Sequence, residues 1–285
     1  MKKGISLVFI THEKLNSSLE YLNKLSRRIS SNIPFYLIYD SYISKEDKKK
    51  FLKKLNKKII FLNYGENIGK LKSILFFSKY FKTEYIKIVD HDDNIVWFAL
   101  EEFNKKIKKI KNNQFVYHKA AKIFENSKFY GYQTIDKKIL KEMLNESENV
   151  NYLIPPNAKV LYNTQSLRKV RKIKFYDQKY FDDNFLSLIC QFFSKKTLSV
   201  NDKPYIQFHQ YGQTSSFIFE EVENSMINYF KNLILLKNNY ELNFSNSSWT
   251  KKSSFKWLEW YFTQFDEYKE SFFETSKKEL EKFWE

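Results

Sequence analysis

Hydrophobic and polar positions along the first hundred residues predict strands and helices in alternation. Short, mostly apolar runs, typical of buried strands, cover residues 5–10, 35–39, 59–62 and 85–89. Between them, apolar side chains that recur every three or four positions predict helices over residues 15–30 and 70–81. A lysine-rich segment that Ser44 would cap predicts a surface helix over residues 44–56. This alternation predicts an α/β fold with a mostly parallel sheet. Ligands of such folds bind beyond the carboxyl ends of the strands.

The pattern changes toward the end of the chain. The predicted elements are a helix over 97–110, short strands and loops over 115–165, a helix from Asp182, a strand over 205–209, and helices over 217–236 and 254–284. We therefore expect residues 1–216 to form one domain, in which helices flank the sheet. Residues 217–285 are expected to form a C-terminal helical extension.

The composition excludes several classes of protein. The chain has 285 residues, of which 42% are hydrophobic, so it can bury a core and is not disordered throughout. The single cysteine, Cys190, excludes an intrachain disulfide and a thiolate-cluster metal site. No apolar run reaches the ~18 residues of a membrane span, and polar residues from Thr11 onward make the first run too short for a signal peptide. We therefore expect a cytoplasmic protein.

The formal net charge of +16 at pH 7 raises the question of an anionic partner. The positive excess lies in residues 1–216, and nearly all of it is lysine. Proteins that read a base sequence favour arginine, so this lysine excess argues against specific nucleic-acid binding. Solvated helix faces explain much of the lysine, and attraction to a phosphorylated partner or to anionic lipid is the alternative.

The segment Asp90, His91, Asp92 and Asp93 carries the clearest chemical indication. It follows the fourth predicted strand, where carboxylates two positions apart can converge on one hard cation. Mg²⁺ and Mn²⁺ favour such sites, with carboxylate and diphosphate oxygens as ligands. The alternative is an acidic first turn of the helix that follows. Because three crowded carboxylates repel one another unless a cation offsets their charge, we favour a divalent-metal site.

The strand that ends in this acidic segment resembles the "flDxDD" strand end of family 2 glycosyltransferases, which have the GT-A fold. Further segments resemble other motifs of that family and follow the family's order over residues 5–216. They are Ile5–Thr11, Tyr36–Ser41, Asn67–Lys70, Arg171–Phe175 with Tyr180–Phe185, and Tyr205–His209 with Thr214–Ser216. Each motif is short, so the resemblance depends on the order and spacing of the set. It implies a GT-A type, Rossmann-like sheet with a nucleotide-sugar-binding half (1–95) and an acceptor and catalytic half (96–216).

The resemblance also implies roles for individual residues. The donor would be a UDP-sugar, bound together with Mn²⁺ or Mg²⁺. The residues implied to bind the donor nucleotide and its diphosphate are Thr11, Asp40, Lys70 and Asp90. The residues implied to hold the metal are Asp92, Asp93 and His209. The catalytic base would be Asp183 or Asp182.

Two departures from the family pattern bear on these roles. The glycine that the family has after the base-reading aspartate Asp40 is Ser41 in this chain. The acidic pair of the family begins with glutamate, whereas this chain has Asp182 and Asp183. Either aspartate can serve as the base; the register favours Asp183, and capping of the helix that begins there is the alternative.

We therefore predict a metal-dependent, inverting glycosyltransferase that acts on a glycan or glycolipid in bacterial capsule or lipopolysaccharide synthesis. It would work in the cytoplasm or at the inner face of the cell membrane. Two alternatives stay open: a Mg²⁺-dependent nucleotidyltransferase, and a basic, aromatic-rich protein that binds nucleic acid or a membrane surface. Residues 217–285 can pack on the core, on a second subunit or on a membrane surface. Their mixture of aromatic and acidic residues favours burial against protein.

Overall fold

A computed structural model describes most of the chain. The described residues are 1–12, 15–90, 97–110, 114–118, 120–125, 128–134, 160–200, 205–208, 219–244, 247, 249–262 and 270–285. The predicted strands and helices of the first hundred residues are present close to their predicted positions. The cap predicted at Ser44 is confirmed, because its side chain accepts a hydrogen bond from Asp47 N.

The strands and helices are numbered here in chain order. The strands are β1 (Lys2–Thr11), β2 (Phe35–Tyr39), β3 (Ile59–Asn63), β4 (Thr83–Asp90), β5 (Gln114–His118), β6 (Ala120–Glu125), β7 (Lys128–Thr134), β8 (Val160–Asn163), β9 (Lys196–Val200) and β10 (Tyr205–Phe208). The helices are α1 (Leu15–Arg28), α2 (Lys45–Lys54), α3 (Lys70–Phe77), α4 (Trp97–Ile107), α5 (Thr164–Val170), α6 (Asp182–Phe192), α7 (Phe219–Asn239), α8 (Lys251–Phe262) and α9 (Glu270–Trp284). The short helix α5 was not predicted from the hydrophobic pattern. Its cap is Asn163, whose side chain accepts a hydrogen bond from Ser166 N.

The strands form a mostly parallel sheet, as predicted. Its order is β3-β2-β1-β4-β8-β5-β9, and β10, β6 and β7 form a second, three-stranded sheet. The pairs β2–β3, β1–β2, β1–β4 and β5–β9 are parallel, whereas β8 is antiparallel to both of its neighbours. The carboxyl ends of β1, β2 and β4 therefore lie together at one edge, where ligands of such sheets bind.

Both faces of the central strands are buried, because side chains alternate between two hydrophobic clusters. In β1, Val8 and Ile10 face the cluster that includes α3, α5 and α6. Leu7 and Phe9 face the opposite cluster, which includes α1, α2 and α4. This double burial explains why these strands appear in the sequence as mostly apolar runs.

The C-terminal helices complete the core on the first of these faces. Fully buried side chains of this region belong to the same cluster as Ile88 of β4 and Phe185 of α6; among them are Tyr229, Leu233, Trp249, Leu258, Leu280 and Phe283. Of the three environments expected for residues 217–285, the structure shows packing against the core. No helix in the described part of the chain has the length and apolar character needed to cross a lipid bilayer.

Arg168 of α5 holds the carboxyl end of α3 in place. Its guanidinium donates to three carbonyl oxygens of the turn that follows α3, those of Ser78, Lys79 and Phe81, at 2.9, 3.0 and 2.6 Å. These bonds tie the turn that follows α3 to α5. The opposite end of α3 lies at the candidate site.

Candidate active site

Three charged side chains from three different elements meet at the carboxyl end of β4. Asp90 is the last residue of β4, Lys70 the first of α3, and Asp183 the second of α6. Lys70 Nζ lies 2.7 Å from Asp90 Oδ1 and 2.7 Å from Asp183 Oδ1. These side chains are 21%, 26% and 32% exposed in the order Lys70, Asp90, Asp183, so a ligand can reach them. The structure thus joins two residues predicted to bind the donor with one predicted to act as the base.

The turn before Lys70 requires glycine. Gly69 has φ +83°, in the region that L side chains rarely adopt, and no atom would crowd a side chain at this position. The Asn67 side chain accepts a hydrogen bond from Gly69 N at 3.1 Å. The Asn-x-Gly-Lys segment is therefore a tight turn that begins α3 and directs Lys70 toward Asp90.

Asp40 connects the end of β2 to this turn. It is buried, and its Oδ1 accepts hydrogen bonds from Ile68 N at 3.0 Å and from Ser73 Oγ at 2.7 Å. Its own N–H donates to the carbonyl of Thr11, the last residue of β1, at 2.8 Å. The predicted nucleotide-binding residues Thr11 and Asp40 are thus adjacent at the ligand-binding edge. Their contact with a nucleotide stays a prediction.

Lys70 remains charged despite its partial burial. Burial by itself lowers the pKa of Lys70, because it disfavours the ammonium ion. The carboxylates of Asp183 and Asp90 outweigh this effect and raise the pKa of Lys70 above its ordinary value. A fixed positive charge therefore lies between the two carboxylates at neutral pH.

Asp182 contacts the start of α3 rather than the solvent. It is 8% exposed, and its Oδ2 accepts a hydrogen bond from Leu71 N at 3.2 Å. Burial raises the pKa of Asp182 to about 7, although the Lys70 charge opposes this rise. Asp182 is the first residue of α6, whose cap position is Phe181. Its side chain satisfies a backbone N–H at the start of another helix.

Asp183 is the more accessible member of the acidic pair. Burial raises its pKa above the ordinary value, the Lys70 ammonium opposes the rise, and the Asp90 carboxylate adds to it. A carboxylate with a raised pKa accepts a proton more readily than an ordinary one. Accessibility and basicity are the properties that a general base at this edge requires.

Phe181, the residue before this pair, has a left-handed backbone. Its φ is 69° and its ψ 10°, and among the described non-glycine residues it alone has positive φ. This conformation costs a residue with a β-carbon ~1–2 kcal/mol, so the surrounding contacts have to enforce it. The acidic pair thus follows a strained turn, a feature that often marks functional sites.

Two buried polar side chains beside the acidic residues were not indicated by the sequence. The hydroxyl of Tyr162 in β8 and Nε2 of Gln178 have no hydrogen-bond partner among the described residues. Burial raises the pKa of Tyr162, and the nearby Asp183 carboxylate raises it further. Neither residue belongs to a sequence motif. Only the packing of β8 and of the segment before α6 shows that they are close to the site.

The predicted metal ligands Asp92, Asp93 and His209 lie outside the described residues. Their role stays a prediction. Within the ranges that the structure covers, no group of three histidine, cysteine, aspartate or glutamate side chains is arranged to hold a metal ion.

No protein-family model matches the sequence, and no curated protein matches it. Solved structures of S. aureus TarS do resemble the fold. The structure of TarS 1–349 aligns over 92% of this chain and 72% of that one, with TM-score 0.59 and 17% identity. The same fragment in complex with UDP-GlcNAc aligns over 99% of this chain and 89% of that one, with TM-score 0.58 and 15% identity.

This chain spans less than half of the longer TarS structure. It covers 45% of that structure, with TM-score 0.56 and 18% identity. At such identities the likeness concerns the fold alone. Together with the strand order, it confirms the predicted GT-A-type α/β fold with a C-terminal helical extension.

Proposed function

We propose that this chain is a glycosyltransferase that transfers a sugar from a UDP-sugar to a hydroxyl group of a glycan or glycolipid. The observation that carries the proposal is the meeting of Lys70, Asp90 and Asp183 at the ligand-binding edge of the sheet. The likeness to TarS, a protein solved in complex with UDP and with UDP-GlcNAc, supports the choice of donor. In this proposal residues 1–95 bind the nucleotide sugar and residues 96–216 serve the acceptor and catalysis.

The donor would lie across the ends of β1, β2 and β4. Thr11 and Asp40 are at the ends of β1 and β2, where the uracil would bind, and Asp90 would accept hydrogen bonds from the ribose. Lys70 would contact the diphosphate as a point charge. Its ammonium is held between two carboxylates, so an incoming phosphate would compete with them for the same cation.

Asp183 would be the general base. It would take the proton from the acceptor hydroxyl while that oxygen bonds to the anomeric carbon of the sugar. The bond between the anomeric carbon and the diphosphate oxygen would break at the same time, so UDP leaves with the bonding electrons. A single in-line displacement of this kind inverts the anomeric configuration. Asp182 is the weaker candidate, since it is buried and bonded to Leu71 N.

A divalent cation, Mn²⁺ or Mg²⁺, is part of the proposal. The carboxylate oxygens at this edge are the donor type that hard cations prefer, and Asp90 directly precedes the predicted ligand segment. Asp92, Asp93 and His209 would hold the ion. When bound, it would neutralise negative charge on the departing UDP as a Lewis acid.

The acceptor and setting are proposed on the family resemblance. We propose synthesis of a bacterial surface polysaccharide at the inner face of the cell membrane. The basic character of residues 1–216 supports this placement, since it favours an anionic lipid surface or a phosphorylated acceptor.

The test combines binding with turnover. UDP together with Mn²⁺ should raise the melting temperature, whereas single-stranded oligonucleotides should not. A panel of UDP-sugars is then incubated with the protein and free UDP is measured, with the Asp183→Asn variant as the control that binds but does not turn over. No UDP-dependent stabilisation and no UDP release from any donor would refute the proposal.

A further inference from the structure

We infer that particular side chains of α7 and α8 position Asp183, because they hold the segment that leads into it. The base segment is defined here as residues 176–181, which lead directly into α6. This inference rests on the proposed function, since it takes Asp183 as the base. In this inference, Ser225, Asn232 and the aromatic residues around Phe181 position Asp183 without contacting the substrate themselves.

A polar stripe on α7 holds the backbone of the base segment. The stripe is spaced by four, three and four positions, so its members share one face of the helix; they are Glu221, Ser225, Asn228 and Asn232. Ser225 Oγ accepts from Lys179 N at 2.9 Å and from Tyr180 N at 3.4 Å. Asn228 Nδ2 donates to the carbonyl of Asp177 at 2.5 Å.

Asn232 makes the most complete set of these contacts. It is fully buried, and its Oδ1 accepts from Tyr176 N at 2.7 Å while its Nδ2 donates to Tyr176 O at 3.1 Å. The same Nδ2 donates to Gln178 Oε1 at 2.9 Å, which leaves the amide nitrogen of Gln178 free to turn toward Asp182. That nitrogen and Asp182 Oδ1 are both buried and form no normal hydrogen bond in the described structure. Even so, Gln178 lies near enough to oppose the rise in the pKa of Asp182.

Aromatic rings from α7 and α8 surround Phe181 at the end of the base segment. The ring centroid of Phe181 lies 5.8 Å from that of Tyr229, 5.7 Å from Trp257 and 5.2 Å from Tyr261. Contacts of this kind stabilise an aromatic pair beyond the burial of its area. They offset the unfavourable left-handed backbone at Phe181 and so keep the turn that begins α6.

The consequence for Asp183 is geometric. Asp183 lies two residues beyond Phe181, and its Oδ1 is 2.7 Å from Lys70 Nζ. A general base has to lie within hydrogen-bond reach of the proton it removes, and a misplacement of ~1 Å can cost about 100-fold in rate. Loosening the base segment should therefore lower turnover without weakening UDP binding.

The first test uses two matched serine variants. Ser225→Ala removes the hydroxyl that accepts two backbone N–H groups of the base segment. Ser254→Ala removes a buried hydroxyl of α8 that also has two partners, Lys251 O and Trp284 Nε1, away from that segment. Ser225→Ala should lower kcat for the consumption of UDP-sugar by about ten-fold and leave the Kd for UDP unchanged. Ser254→Ala should leave both quantities unchanged.

The second test separates backbone conformation from ring packing. Phe181→Gly and Phe181→Ala both remove the ring, but only alanine has a β-carbon that disfavours the left-handed backbone. If that backbone aims Asp183, Phe181→Gly should retain a kcat about five-fold or more above that of Phe181→Ala. Both variants should bind UDP like the wild-type protein.

Several outcomes would overturn the inference. They are equal kcat values for the two serine variants, equal kcat values for the two Phe181 variants, or a loss of UDP affinity as large as the loss of kcat. If the wild-type chain neither binds UDP nor consumes a nucleotide sugar, the proposed function fails and amide hydrogen exchange decides the inference. Exchange at residues 182–185 that is faster in Ser225→Ala than in Ser254→Ala then supports it, and equal exchange contradicts it.

Discussion

The two sides of the candidate site are held in place by different means. On the donor side, Asp90 ends a strand that pairs with β1 on one edge and β8 on the other, and Lys70 starts the helix that precedes this strand. On the base side, Asp183 follows a strained turn whose contacts come from α7 and α8. Backbone pairing fixes the donor side, and side chains distant in sequence fix the base side.

This difference predicts which substitutions disturb one side of the site and leave the other side intact. A strand in the middle of a sheet moves only with its neighbours, so the donor side should tolerate changes in α7 and α8. The base side depends on a few side-chain contacts that cross about 50 residues of sequence, such as Tyr176 with Asn232. A single substitution there can loosen it.

Trp257→Ala should cause the largest loss of stability. Trp257 is 5% exposed and contacts Phe181, Tyr229 and Trp249. Removing a large buried aromatic side chain costs about 3–5 kcal/mol in the free energy of unfolding. Because the C-terminal helices share the core of the sheet, chemical denaturation should show one transition at lower denaturant concentration. A separate early transition would show that residues 217–285 unfold independently of the core. Trp284→Ala, in a partly exposed position, serves as the milder control.

Asp183→Asn should cause the largest loss of turnover. As the general base, Asp183 should contribute at least ~100-fold to kcat. The variant keeps the shape of the side chain, so UDP binding measured by calorimetry should stay the same. Asp182→Asn is the matched control, and its kcat should fall much less. The opposite ranking of the two variants would identify Asp182 as the base.

The buried carboxyl of Asp182 should make stability depend on pH. In the folded chain its pKa is about 7, compared with 3.8 for an unperturbed group, so the folded state binds more protons between these values. The free energy of unfolding therefore falls as the pH rises from about 4 to about 7. Asp182→Asn removes this contribution. From about pH 5 to about pH 8, its stability relative to wild type should rise by about 2–3 kcal/mol. A constant difference over this range would show that Asp182 is ionised in the folded chain.

Lys70→Met and Lys72→Met compare two lysines of α3 with the same change in charge. Lys70 is partly buried between two carboxylates, so its loss should cost about 1–2 kcal/mol in the free energy of unfolding. Lys72 pairs with Asp177, which is 85% exposed, and its loss should cost less than about 0.5 kcal/mol. Denaturation at low and high salt provides the measurement. Equal losses in the two variants would mean that the Lys70 contacts are no stronger than a surface ion pair.

The sequence by itself predicted much of the donor side. Buried strands and helix faces depend on short-range features: mostly apolar runs and a three- or four-residue period. The acidic end of β4 was visible for the same reason, since Asp90 follows directly after an apolar strand. The resemblance to a family then pointed to Lys70 and Asp183.

The tertiary structure alone decided how the base side is built. The sequence leaves both Asp182 and Asp183 open as the base, with the family register favouring the second. Only packing buries the first against Leu71 and leaves the second facing Lys70. The polar stripe on α7 is present in the sequence, yet it carries no sign of the segment that it holds. Periodic burial is a local property that the chain repeats every two to four residues. Contacts between distant segments depend instead on where the helices come to rest on the sheet, and that position is set by the whole core at once.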